Sequence, residues 1–185
     1  MRPVVLQFWI TLDGYSCDPI TELPELLGDV DDPEQGEYFT GRLRQAGTHI
    51  MGRATYEGMA GYWPTSDSPV APFMNDIPKV VFSRTLQAAD WPGSRIASGD
   101  TAGEIAKLKA EPGGEILAHG GVQFAQSLAR LDLADEYRLW MLPAAVSKGT
   151  PLFCDLALPL TFGLVSSTAF PSGLIELAYS RAGRR

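Results

Sequence analysis

The sequence predicts an α/β fold: a mostly parallel central sheet, helices on both of its faces, and an antiparallel hairpin at the C-terminal end. Three observations predict it. Up to about residue 131, short apolar runs alternate with segments of helical periodicity, the pattern of parallel strands joined by right-handed crossovers. The first run, 4–12, is apolar through most of its length, as a strand covered on both faces would be. Near the end, 161–170 and 174–181 flank Pro171-Ser172-Gly173, and Ile175, Leu177 and Tyr179 alternate on one face, which reads as a β-hairpin.

Taken in order, the first strand stops at the turn pair Asp13-Gly14. Residues 16–33 carry prolines at 19, 24 and 33 and acids at 18, 22, 25, 29, 31 and 32, so they read as a long surface loop, a length that is often functional. Asp32 as N-cap and Pro33 at the first helical position open a helix whose apolar face is Phe39, Leu43 and Ala46, with Gly47 as its stop. A short strand over 48–51 follows, closed by Gly52, and Thr55-Tyr56-Glu57 opens a helical turn. Residues 61–78 read as irregular, with Tyr62-Trp63 and four prolines between 64 and 78.

Strands are then expected at 79–83, more weakly at 95–98, and at 115–118. Helices are expected over 100–110, capped by Asp100 or Thr101 with Ile105 and Leu108 inward, and over 122–131, with Val122, Ala125, Leu128 and Ala129 on one face. Residues 136–142 alternate as a strand, and no linker or repeat divides the chain, so 1–185 reads as a single domain.

Composition bounds the function. Hydrophobic content of 45% and charged content of 20% are ordinary for a globular protein. A net charge of -7 and a pI of about 4.8 leave no basic stripe for a run of phosphates, which argues against nucleic acid as partner. An anionic ligand would need a few placed cations and backbone amides. No apolar run is long enough to span a bilayer, and the N-terminus lacks the pattern of a signal peptide, so a cytoplasmic location is expected. Cys17 and Cys154, with His49 and His119, offer no metal-ligand spacing; two unbridged thiols and no metal are expected.

Three strand ends concentrate the chemistry: Gly52-Arg53-Ala54-Thr55, Ser83-Arg84-Thr85 and His119-Gly120-Gly121-Val122. A strand that ends on glycine and turns into a helix leaves backbone N–H groups unpaired at the positive end of the helix dipole, which suits an anion. Arg53 and Arg84 add planar cationic forks, and Thr55 and Ser83 add hydroxyls. Each turn alone is equally a helix cap, a polar strand end or, for the glycine pair, a turn needing positive φ. If the three strands are parallel, all three turns share one rim of the sheet, where open α/β sheets bind ligands.

Several motifs occur in order: Leu12-Asp13-Gly14-Tyr15, Met51-Gly52-Arg53-Ala54-Thr55-Tyr56-Glu57, Tyr62-Trp63-Pro64, Pro78 to Leu86, Gly120-Gly121, Leu133-Ala134-Asp135-Glu136 and Gly149-Thr150-Pro151-Leu152-Phe153. Together they resemble the dihydrofolate-reductase-like superfamily, nearest to the branch holding the reductase domain of bacterial riboflavin biosynthesis and its stand-alone relatives. That resemblance implies a three-layer fold and an NADPH cofactor. It implies that Gly52, Arg53 and Thr55 grip the adenosine 2′-phosphate and pyrophosphate, and that Ser83 and Arg84 lie by the adenosine ribose and 2′-phosphate. It further implies that the pair Gly120-Gly121 lets the backbone approach the nicotinamide and pyrophosphate, with His119 before it and Val122, Gln123 and Phe124 after it as further cofactor-binding residues, and that Asp13-Gly14-Tyr15 borders nicotinamide and substrate.

Dihydrofolate reductases also place a buried acid on the helix before the Gly-Arg turn. Here that helix offers Glu34 and Glu37, either of which equally suits a solvated helix start. Glu37, Asp13 and Tyr15 are therefore the candidate catalytic residues, with His119 as a further proton-handling group. The resemblance implies a reductase passing hydride to a small heterocycle, pterin-like or ribosylaminopyrimidine-like, and possession of at most the reductase half of the riboflavin-pathway pair, since no zinc-deaminase motif is present. Two other readings stand beside it: a nucleotide-binding scaffold without activity, and a ligand-binding protein that stacks its ligand on Trp63 and Trp140, residues that equally suit the core. A homodimer is expected from the resemblance and from the apolar hairpin over 161–181.

Overall fold

Strand β1 (Val4–Thr11) is buried along almost its whole length, because it sits inside the sheet with packed layers above and below. The other strands are β2 (Ala46–Gly52), β3 (Lys79–Phe82), β4 (Ser94–Ile96), β5 (Glu115–His119), β6 (Glu136–Leu142), β7 (Phe162–Ala169) and β8 (Ile175–Arg181). They form an eight-stranded sheet in the order β4-β3-β2-β5-β1-β6-β8-β7. All pairs from β4 to β6 are parallel, and the β6–β8 and β8–β7 pairs are antiparallel. The computed structural model describes residues 1–17, 22–27 and 32–182.

Period-two alternation along β1 divides the core. Val4, Leu6, Phe8 and Ile10 join Ile50, Val80, Ile116 and Ala118 beneath α5 (Thr101–Ala110) and α6 (Val122–Arg130), which contribute Ile105, Leu108, Phe124 and Leu128. On the opposite face Val5, Met51, Val81 and Leu117 meet Leu43 of α2 (Pro33–Leu43), Tyr56 of α3 (Arg53–Tyr62) and Met74 of α4 (Ala71–Asp76). That face continues into an aromatic cluster in which the buried Trp140 stacks on Trp9 at 5.1 Å and on Phe170 at 5.6 Å. The result is the three-layer arrangement that the resemblance implies, with the hairpin at its C-terminal edge.

Several local expectations need correction. Gly47 does not stop the helix: α2 ends at Leu43, and Ala46 and Gly47 already belong to β2, where a Cβ on Gly47 would press on the backbone of Gly114 next door. Residues 61–78 are not wholly irregular, since a 3₁₀ turn (Trp63–Thr65) and α4 lie within them, with Pro64 and Pro72 tolerated in first turns. Within the expected loop over 16–33, α1 (Glu22–Leu27) is helical; the parts of that loop at 18–21 and 28–31 lie outside the described residues. Asp32 caps α2 by accepting from the Gln35 N–H at 3.0 Å, and Asp100, rather than Thr101, caps α5. Neither cysteine forms a disulfide.

Candidate cofactor and substrate cleft

Because β2, β3 and β5 run parallel, the turns that follow them lie along one rim. Two clefts open there. The first, of about 750 Å³, has a floor of Gln7, Trp9 and His119 and walls that include Phe39, Tyr62 and Trp63. The second, of about 870 Å³, is lined by Arg53, Ser83, Arg84, Thr85, Gln123 and Ser127. They share Ala54, Thr55, Gly121 and Val122, so the starts of α3 and α6 form the saddle between them.

That saddle is built for close approach. Helices α3 and α6 have glycine at the N-cap and no side-chain acceptor there, whereas α2 and α5 are capped by aspartates. Their first amides therefore remain available to a ligand anion. The glycine pair is required by space and not by positive φ. Gly121 has an ordinary φ of -110, but a Cβ there would run into Thr55 Oγ1, and one on Gly120 would run into the Phe8 ring.

The two arginines differ in availability. Arg53 donates through Nε to Glu57 at 2.7 Å and through a terminal nitrogen to Thr85 Oγ1 at 3.0 Å, and its side chain is half exposed. An incoming phosphate must share or replace those partners. Arg84 is exposed and makes no ion pair among the described residues. Ser83 Oγ accepts from the Thr85 and Leu86 N–H groups, which shapes the turn that presents Arg84. Phe124 stacks on Phe82 at 4.9 Å and forms an apolar wall.

A row of buried polar side chains crosses one face of the sheet, Lys79, His49, His119 and Gln7 from β3, β2, β5 and β1, and of these His119 and Gln7 line the first cleft. His119 Nε2 lies 2.7 Å from His49 Nδ1, and His49 Nε2 lies 3.0 Å from the Phe73 carbonyl. Burial is the main cause that pushes His49 down to about 4 and His119 well below its ordinary value; the nearby Lys79 charge adds to both. Lys79 is itself pushed down to about 8 by burial, while its ammonium donates to the Asn75, Ile77 and Pro92 carbonyls.

Every expected cofactor residue lies at these clefts: Gly52, Arg53, Thr55, Ser83, Arg84, Gly121, Val122, Gln123 and Phe124 at the second, His119 and Gly120 at the first. The expected catalytic residues do not enter the lining. Glu37 is exposed on α2, whose cleft-facing positions are instead Gln35, Gly36 and Phe39. Asp13 accepts from Thr11 Oγ1 and from the Val146 and Ser147 N–H groups, which hold its carboxyl below the usual range and staple the turn after β1. Tyr15 packs behind Gly149, a lining residue. Trp140 is core, while Trp63 lines the first cleft. Sequence reasoning missed Gln7, Trp9, Glu22 and Gln35; a glutamine inside an otherwise apolar central strand was the available signal for the first.

Comparison with known proteins places this geometry. The RibD C-terminal domain family matches residues 2–175, and the chain belongs to that family. Its relatives include the uncharacterized protein YyaP of Bacillus subtilis (strain 168), 30% identical over 96% of this chain and 94% of that protein. YwjB of the same organism, also uncharacterized, is 28% identical over 98% of this chain and 99% of its own. Among solved structures, a candidate riboflavin biosynthesis protein from Shewanella sp. PV-4 superposes with a TM-score of 0.75 at 23% identity, covering 100% of both chains. The diaminohydroxyphosphoribosylaminopyrimidine deaminase/5-amino-6-(5-phosphoribosylamino)uracil reductase of Thermotoga maritima gives 0.65 at 17% identity, over 98% of this chain and 57% of that one. Dihydrofolate reductase from Enterococcus faecalis, complexed with NADP(H), gives 0.59 at 15% identity, over 97% and 96%. These likenesses establish the fold, in a family whose solved neighbours include reductases. Among the described residues no helix is long and apolar enough to cross a membrane, and no group of three or more His, Cys, Asp or Glu stands where a metal could be held.

Proposed function

We propose that residues 1–185 act as one NADPH-dependent reductase domain whose substrate is a small heterocycle. The observation that carries this reading is the saddle at Thr55 and Gly121, which joins a cleft edged by Arg53 and Arg84 to one walled by aromatic rings. An extended dinucleotide fits such a pair. Its adenosine 2′-phosphate would lie by Arg84 and Arg53, its pyrophosphate over the open amides of α3 and α6, and its nicotinamide in the first cleft beside Gly120. When bound, NADPH supplies hydride, and the substrate's C=N or C=O bond takes up that hydride with one proton.

The chain's own residues do the rest. Trp9, Phe39 and Trp63 exclude water and orient a flat ring, while Asp13 and Tyr15 act as positioning residues that fix the loops at the rim. Glu22 is the one carboxylate among the described lining residues of the first cleft, and we assign it to proton delivery, directly or through water. The exposed position of Glu37 gives the second reading, a nucleotide-binding scaffold without activity, its specific support. The test is NADPH consumption by purified protein against a panel of pterins, pyrimidine ribosides and small carbonyl compounds. Turnover of a heterocycle is expected. Binding of NADPH with no turnover of any member would favour the scaffold.

A further inference from the structure

We propose that the first cleft takes an unphosphorylated, uncharged or cationic planar heterocycle, and that His119 and Gln7 read its N–H edge. This rests on the reductase reading and names the substrate class for it.

The first support is charge. The described lining of that cleft contains no lysine or arginine and has Glu22 as its carboxylate; the cations of the rim, Arg53 and Arg84, line the other cleft. Residues 18–21 and 28–31, which flank Glu22 in sequence, hold no lysine or arginine either. A phosphate taken from water into such a site meets no opposite charge among the described lining residues to offset its desolvation, since the Lys79 ammonium lies outside that lining and is held by the Asn75, Ile77 and Pro92 carbonyls, and Glu22 opposes it. A neutral ring pays no charge desolvation, and Glu22 offsets that of a cation.

The second support is a tautomer dictated by geometry. A carbonyl can only accept, so His49 Nε2 carries the proton donated to Phe73. In a neutral imidazole Nδ1 is then the acceptor, and His119 Nε2 must donate to it. His119 is left with a bare Nδ1 that makes no hydrogen bond among the described residues. Gln7 is the Cα partner of His119 across the β1–β5 pair and is 3% exposed, and its Oε1 is buried without a partner among the described residues. The Trp63 indole N–H is likewise buried without a partner among the described residues. A buried polar group left unpaired is costly, so this set is poised for a ligand that completes it. Whichever way its amide is turned, Gln7 offers a donor NH₂ group and an acceptor oxygen. Beside it the His119 acceptor calls for an N–H. A heterocycle bearing a ring N–H or amino group next to a carbonyl meets both, stacked on Trp9 or Phe39.

The experiment titrates wild-type protein, with and without saturating NADPH, with uracil, pterin, uridine, riboflavin, and the 5′-phosphates of the last two. Tryptophan fluorescence reports binding, and ¹⁵N NMR reports the two histidines, which are the full complement of the chain. At least one unphosphorylated compound should bind and shift His119 Nδ1, each phosphate should weaken binding at least tenfold, and Gln7→Met should weaken the same compound. Phosphates that bind as tightly as their parents, or no binding by any unphosphorylated compound, would overturn the proposal. So would a His119 Nδ1 that responds to NADPH and not to the heterocycle. Failure of NADPH to bind while the preference for unphosphorylated rings holds would remove the cofactor reading and leave this one standing.

Discussion

A single carbonyl sets the protonation of the cleft floor. Phe73 accepts from His49, and that bond fixes the proton positions on both imidazoles and the acceptor that His119 turns to the ligand. The same burial has a consequence for stability. His49 titrates near 4 in the folded chain against an ordinary 6.5, and His119 is lowered as well, so the unfolded chain binds more protons as pH falls below 6.5. Stability is therefore fully present above pH 6.5 and is lost progressively toward pH 4, by about 3 kcal/mol through His49 alone. Urea unfolding at several pH values checks this, with His49→Gln expected to show a shallower loss than wild type. An imidazole titrating above pH 6.5 in the folded protein would contradict the account.

At the scale of elements, what matters is how closely α3 and α6 meet at their starts. Gly121 has a φ that alanine adopts freely, so Gly121→Ala acts through space alone, against Thr55 Oγ1. The substitution should cost about 1–3 kcal/mol, and Thr55→Ala in the same chain should recover part of that loss. Denaturant unfolding of the two single variants and the double checks the coupling; strictly additive losses would show that the two residues do not press on each other. This contact was not legible in the sequence, although the turns that make it were. Gly52-Arg53, Ser83-Arg84 and Gly120-Gly121 are local signals, each printed within a few residues at a strand end. The polar row from Lys79 to Gln7 draws on four strands and needs their register, which no local pattern carries. The short helix α4 was hidden by Pro72 within it and Pro69 and Pro78 around it, and Gly47 looked like a helix stop because a glycine after an apolar face reads alike whether it ends a helix or lies against a neighbouring strand.

For the whole molecule, β7 is an edge strand whose Leu164 and Val165 are each 59% exposed, and the exposed Phe153 packs against Phe162 at its start. An apolar edge of this kind is a surface for pairing with another copy, and a homodimer through β7 is expected. Light scattering at micromolar concentration should give twice the chain mass, and Leu164→Lys should shift it toward monomer; a wild-type monomer would refute this. The central claim, a dinucleotide laid across the saddle with its extra phosphate at the arginines, has a more direct test. A charge-assisted hydrogen bond at a partly exposed site contributes about 1.5 kcal/mol, or roughly a decade of affinity. The measurement is calorimetric titration of wild type and Arg84→Ala with NADPH and with NADH. The account predicts one NADPH per chain, bound about tenfold or more tighter than NADH, with the advantage largely lost in Arg84→Ala. Equal affinity for the two cofactors in wild type, or binding of neither, would contradict it.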